Sequence, residues 1–130
     1  KNKLNIIFCI GENKTEKRKN KTIHVLKKQL YNVLKKKLNS KNLIVAYEPV
    51  WSIGTGKLPT RAELINTTRQ IKSNLAKIFK NNIPPVLYGG SVDSNNISFF
   101  KDIRVIDGFL IGGASKSSKN FIDIIKNFYK

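Results

Sequence analysis

Glu48 is the residue from which chemistry can first be read. It follows the apolar run LIVAY (Leu43–Tyr47) and sits in the stretch AYEPVWSIGTGK, residues 46–57. A carboxylate at a strand end, drawn partly out of water, becomes a better base and can move a proton to or from a bound molecule. Pro49 stiffens the chain directly after it, while Gly54 and Gly56 leave freedom at the far end, as a hinged lid beside a base requires. A surface carboxylate in an ion pair is the plainer alternative. Glycines recur further on as Gly89-Gly90 before Ser91 and as Gly112-Gly113. Without a Cβ, such positions let backbone N–H groups approach an anion closely, and Ser91 can add a hydroxyl donor. The run GASK after Gly112 can open a short helix whose N-terminal dipole favours a phosphate dianion. Each Gly-Gly pair alone is equally at home in an ordinary turn.

These groups are useful only if the elements before them end at a common place. Four apolar, β-rich runs each close in a small or polar cluster and lead into helical periodicity, the rhythm of repeated βα units. Residues 4–10 (LNIIFCI) form the first expected strand. TIHVLKKQLYNVLKKKL from Thr22 then places Ile23, Leu26, Leu30, Val33 and Leu34 on one helical face, with His24 and the lysines mostly elsewhere. LIVAY is the second strand, and Thr60 with Glu63 spells a capping box that starts a helix running to about Lys80. Residues 84–88 (PPVLY) give the third strand, with a short helix expected over 94–101. The fourth lies within VIDGFLI, around residues 107–111. A final helix in SSKNFIDIIKNFYK carries Phe121, Ile124, Ile125 and Phe128 at helical spacing. A doubly wound nucleotide fold would concentrate its glycines in one G-x-G-x-x-G turn. Glycine clusters after several successive strands fit instead a ring of strand ends, so four βα units predict half of an eight-unit barrel.

Composition narrows the class. At 130 residues one core is expected, and 40% apolar residues is a globular value. The apolar runs are too short to span a membrane, and residues 1–12 lack the small-residue cleavage site of a signal peptide. Cys9 is the single cysteine, so no internal disulfide forms, which favours a reducing compartment, the cytoplasm. Lysine and arginine total 25 against 8 acidic residues, a net charge of +17 that attracts polyanions. No zinc spacing, aromatic-rich strand motif or recognition helix accompanies it, and lysine rises together with asparagine and isoleucine, as biased coding composition would give. No specific nucleic-acid partner is therefore expected. The chain starts at Lys1 and contains no methionine, which reads as a segment of a longer product.

Taken together, CIGE (9–12), AYEPVWSIGTGK (46–57), YGGSV (88–92) and DGFLIGGAS (107–115) resemble the carboxyl-terminal half of the triosephosphate isomerase family. The four motifs occur in order, one at each strand end, and cover nearly the whole chain. The resemblance implies an α/β fold, the (βα) TIM barrel, of which residues 1–130 are a single partial domain, the carboxyl-terminal half-barrel. It implies a glycolytic and gluconeogenic homodimer that interconverts dihydroxyacetone phosphate and glyceraldehyde 3-phosphate with no cofactor and no metal. Glu48 would be the base, working through an enediol. Pro49, Val50, Trp51, Ile53, Thr55, Gly56 and Lys57 would belong to the lid. Gly54, Ser91, Gly112 and Gly113 would bind the substrate phosphate, with Leu110 pressing on the base.

Departures and omissions qualify that carry-over. The family's electrophilic histidine, and its asparagine and lysine near the first strand, belong to the amino-terminal half, and His24, in a helix, does not replace that histidine. Ser52 stands in the lid where the family commonly has alanine, a small change expected to be tolerated. Lys72 stands where arginine is expected opposite Asp107, which keeps charge but loses the bidentate fork. Cys9 and Glu12 match the family motif and are assigned structural support. Half a barrel leaves two open strand edges and an unmatched apolar wall, so the segment alone is expected to be poorly stable, inactive, and in need of an amino-terminal half. The alternatives are another phosphate-binding βα-barrel enzyme or a non-catalytic, polyanion-binding remnant.

Overall fold

Four parallel strands realise the four apolar runs in the computed structural model, which describes residues 4–34, 40–80 and 82–130. In chain order the elements are β1 (Ile6–Ile10), α1 (Lys14–Arg18), α2 (Thr22–Leu34), β2 (Leu43–Tyr47), α3 (Arg61–Phe79), β3 (Val86–Tyr88), β4 (Gly108–Phe109) and α4 (Ser118–Tyr129). Short 3₁₀ turns at Ile97–Phe100 and Gly113–Lys116 stand on either side of β4. The sheet order is β1-β2-β3-β4, all neighbours parallel. A doubly wound sheet reverses its order at a switch point, whereas this order advances one strand at a time, as a barrel wall does.

Register decides what each face does. Ile6, Phe8 and Ile10 align with Leu43, Val45 and Tyr47, and the last two align with Val86 and Tyr88. Because side chains alternate across a strand, these residues share one face. That face packs on Leu26, Leu30 and Leu34 of α2 and Leu64, Ile71 and Leu75 of α3 to form the core. Each such fully buried aliphatic side chain contributes roughly 1.5–3 kcal/mol. The opposite face carries Ile7, Cys9, Ile44, Ala46 and Leu87. It is less covered: Ile7 is 50% exposed.

The helices start where their caps say. Thr60 accepts the Glu63 amide through its side chain at 3.2 Å, and the Glu63 carboxylate accepts the Thr60 amide at 2.8 Å. Those bonds, first the one from the Thr60 backbone and then the one from Lys17, hold the Glu63 carboxyl below its usual range. The same device, Asn13 with Glu16, starts α1, an element the apolar pattern alone did not reveal. Asp107 closes the far side, with one carboxylate oxygen 2.8 Å from Lys72 and the other taking the Val86 amide at 2.7 Å. The expected Lys72–Asp107 pair is thus present, as a single contact.

Several boundaries differ from the sequence reading. β1 begins at Ile6, and β3 at Val86, because Pro84 and Pro85 have no N–H for the ladder. β4 is two residues long, although the Asp107 amide to Val86 and the Leu110 amide to Tyr88 extend its pairing at 2.9 Å each. The 94–101 helix is a single 3₁₀ turn at Ile97–Phe100. Val33 is 45% exposed, since it lies roughly 60° around the helix from the line through Leu26, Leu30 and Leu34. In α4 only Ile124 is buried, with Phe128 half-buried against Phe109 at 5.6 Å. Phe121 and Ile125 remain exposed, since no element of the described residues covers that side of the helix. His24 is exposed on α2, as expected. The expected continuation of that helix over 35–38, and residue 81 ahead of the third expected strand, lie outside the described residues.

Candidate active site

The strand ends converge as the sequence implied. Glu48, two residues beyond Ala46, leaves β2 on the Cys9 and Ala46 face, and the same counting brings Gly89 after β3 and Leu110 after β4 to its side. A Cβ placed on Gly89 would lie 2.6 Å from the Glu48 Cγ and 3.4 Å from the Leu110 Cβ, so the three are in contact. Glu48 opens into a cavity of about 390 Å³. Its other walls are Ile53, Gly54 and Gly56 from the segment after β2, Gly89, Gly90 and Ser91 after β3, and Leu110, Gly112 and Gly113 after β4. Each expected phosphate-contacting residue therefore lines one space with the expected base.

The segment over 49–57 has a definite shape. Gly54 and Gly56 adopt φ of 67° and 73°, a region where any side chain is strained, so these two positions need glycine. Open space surrounds the Cβ positions of Gly112 and Gly113, leaving their backbone accessible from the cavity. The remaining lid residues do not meet the cavity. Pro49 is buried at the near end and Val50 points to solvent. Trp51, Thr55 and Lys57 line a separate basic groove with Lys14, Lys17 and Arg18.

Two contacts hold the start of this segment. A side chain on Gly11 would overlap the Glu48 carbonyl, so the end of β1 and the base are packed backbone to backbone. Next to it Glu12 is completely buried, accepting from the Trp51 indole N–H at 2.8 Å and from the Tyr47 hydroxyl at 3.3 and 3.2 Å. Its carbonyl takes the Val50 amide at 3.0 Å. Burial, then the Glu12 charge, pushes the Tyr47 phenol well up, so it remains a donor. Support was expected of Glu12; the particular partners, on either side of the base, were not legible without the fold. Glu12→Ala strands both donors, and we expect a loss of about 2 kcal/mol in urea unfolding followed by emission from Trp51. An unchanged midpoint would show the carboxylate to be dispensable.

Cys9 sits beside the base. Burial, then a hydrogen bond with Glu48 and its negative charge, push the thiol from 9.0 up to about 11. The thiolate fraction near neutral pH falls with that rise, partly offset by the greater nucleophilicity of a more basic thiolate, so iodoacetamide should alkylate Cys9 at pH 8 roughly tenfold more slowly than an unperturbed cysteine. Glu48→Gln removes the negative charge beside the thiol and should restore part of the rate. Equal rates with and without the carboxylate would place Cys9 away from Glu48.

Ser91 is engaged rather than free. Its hydroxyl donates to the Ser52 carbonyl at 2.6 Å and accepts from the Gly56 amide at 3.1 Å, tying the loop after β3 to the segment above Glu48. Tyr88 and Ser52 join the same network, and the sequence reading missed both, since neither a core tyrosine nor a serine for alanine announces such a role.

No helix of the described residues is long and apolar enough to cross a membrane. A family model, triosephosphate isomerase, matches residues 1–128. The triosephosphate isomerase of Yarrowia lipolytica is 40% identical over 97% of this chain and 51% of its own length. Those of Candida albicans and Saccharomyces cerevisiae are 42% and 40% identical, each over 95% of this chain and 51% of their own. The chain thus spans about half the length of the curated relatives it matches. With a match over nearly its whole length and the strand-end residues gathered around one cavity, the chain belongs to the triosephosphate isomerase family.

Proposed function

We propose that this chain supplies the base, lid and phosphate-binding loops of an aldose–ketose isomerase acting on dihydroxyacetone phosphate and glyceraldehyde 3-phosphate. The observation that carries the reading is Glu48 opening into a cavity walled by the glycine loops and by Ile53, Gly54 and Gly56 of the 49–57 segment. Glu48 takes a proton from the hydroxyl-bearing carbon next to the substrate carbonyl to give an enediol, then returns it to the former carbonyl carbon, while a proton passes between the two oxygens so that hydroxyl and carbonyl exchange places. This is the mechanism that the family resemblance implies for Glu48. Gly54, Gly112 and Gly113 present backbone to the phosphate, and Leu110 confines the carboxylate against Gly89. Ser91 contributes its hydroxyl hydrogen to the phosphate only by releasing the Ser52 carbonyl, because a hydroxyl has one proton to donate. The lid excludes water and keeps the intermediate from losing phosphate.

The polarising groups come from an amino-terminal half, with residues 1–130 serving as the carboxyl-terminal half-barrel. Ile7 at 50% exposure and Cys9 on the β1 edge are the face that such a half would cover. The complete assembly is a cytoplasmic homodimer of glycolysis and gluconeogenesis, with neither cofactor nor metal in the reaction. A coupled assay with glyceraldehyde 3-phosphate tests the reading, comparing the chain alone with the chain plus the amino-terminal half of a relative. Turnover is expected only in the mixture. Turnover by the chain alone would remove the need for the polarising half, and silence of a folded mixture would remove the isomerase reading.

A further inference from the structure

Ser52 is the one fully buried polar residue of an otherwise largely exposed segment, with Ile53, Gly54, Thr55 and Gly56 all exposed beside it. Its hydroxyl uses every bond available to it. The proton goes to the Lys57 carbonyl, which closes the segment on itself. The oxygen is 3.2 Å from the Tyr88 hydroxyl and accepts the Ser91 amide at 3.3 Å. Since the single Ser52 hydroxyl proton is donated to the Lys57 carbonyl, Tyr88 is the donor in that contact. Burial pushes the Tyr88 phenol up, consistent with its keeping that proton. The Ser52 carbonyl in turn accepts from the Ser91 hydroxyl, which also receives the Gly56 amide. Ser91 therefore donates two bonds to Ser52, with Lys57 and Gly56 tied in at the far end of the segment and Tyr88 anchoring them to β3. Gly90 leaves the space for this knot: a Cβ there would overlap the Tyr88 hydroxyl and lie 2.7 Å from the Ser52 oxygen.

We infer that the Ser52 hydroxyl fastens the 49–57 segment to the loop after β3, making Ser52 a positioning residue that holds the lid over Glu48 through Tyr88 and Ser91. Alanine at position 52 keeps the carbonyl bond to Ser91 but leaves Tyr88, the Ser91 amide and the Lys57 carbonyl without this partner. The functional half of the inference rests on the isomerase reading; the fastening does not.

The test is amide hydrogen exchange in the full chain, read as protection of the Gly56 and Ser91 amides relative to that of Val45, whose amide bonds Pro85 in the sheet. Ser52→Ala should lower that ratio by about five- to tenfold. Tyr88→Phe, which removes one partner and leaves the lid sequence intact, should lower it less. If the ratio is unchanged in Ser52→Ala, whether or not the whole chain is destabilised, the hydroxyl is not the fastener; should that variant fail to fold, an unchanged ratio in Tyr88→Phe overturns the inference equally. In the mixture with an amino-terminal half, Ser52→Ala should also raise the inorganic phosphate released per isomerisation. A lowered ratio without extra phosphate release would leave the fastener standing and remove the lid's part in the isomerase reading.

Discussion

Glu48→Gln, in the protein completed by an amino-terminal half, lowers isomerase turnover by about 10²- to 10⁴-fold, the range a positioned general base contributes. The amide matches the carboxylate in size, so contact with Gly89 and Leu110 survives and only basicity is lost. The hydrogen bonds that set the strand end involve the Glu48 backbone: its amide donates to the Ile10 carbonyl at 2.7 Å, which the substitution leaves alone. Thermal unfolding of the variant should therefore stay near that of the parent while kcat collapses, and substrate affinity, set by the glycine loops, should change little. Measurement of kcat and KM alongside a melting curve separates the possibilities. Turnover within a factor of about three of the parent would show that the base is elsewhere; equal loss of turnover and fold would make Glu48 a structural residue.

What made this site legible in the sequence is that its parts are each local. A carboxylate after an apolar run, glycines after the next two runs and a capping box before α3 are signals written in adjacent residues, and parallel strands in sequential order then bring them together without further information. Thr60 with Glu63 could be placed because both halves of that bond are three residues apart. The partners of Glu12 could not, since Tyr47 and Trp51 lie 35 and 39 residues away and nothing in CIGE names them. Ser52 was visible as a departure from alanine, yet its meaning depends on Tyr88 and Ser91, 36 and 39 residues on. The missed helix α1 is a different failure, because it buries no residue and so leaves no apolar stripe; its Asn13–Glu16 box was the available signal. Phe121, Ile125 and Val33 show the converse: periodicity reports which side of a helix is apolar, while burial also requires something to lie against it.

Gly89→Ala should disable the base by displacing it, with its carboxylate chemically unchanged. The ideal Cβ at this position falls 2.6 Å from the Glu48 Cγ and 3.1 Å from its carboxyl carbon, well inside any ordinary contact, and Leu110 at 3.4 Å blocks retreat on the other side. The strand cannot yield easily, because the Gly89 amide is bonded to the Tyr47 carbonyl at 2.9 Å and the flanking Tyr88 is buried in the aromatic core. The Glu48 side chain is the softest element and must swing toward the cavity. A displacement near 1 Å at a reacting group costs on the order of 10²-fold in rate. Overpacking of this kind costs about 1–3 kcal/mol of stability, which should lower the melting temperature without abolishing the fold. The expected signature in the completed enzyme is thus a kcat down by about two orders of magnitude with KM for glyceraldehyde 3-phosphate nearly unchanged, since Gly54, Gly112 and Gly113 are not disturbed. A rise in KM at constant kcat would mean that Gly89 serves the phosphate rather than the base. Unchanged kinetics would mean that Glu48 works from a position other than the one it holds beside Gly89, and the reading of its contact with Leu110 would fall with it.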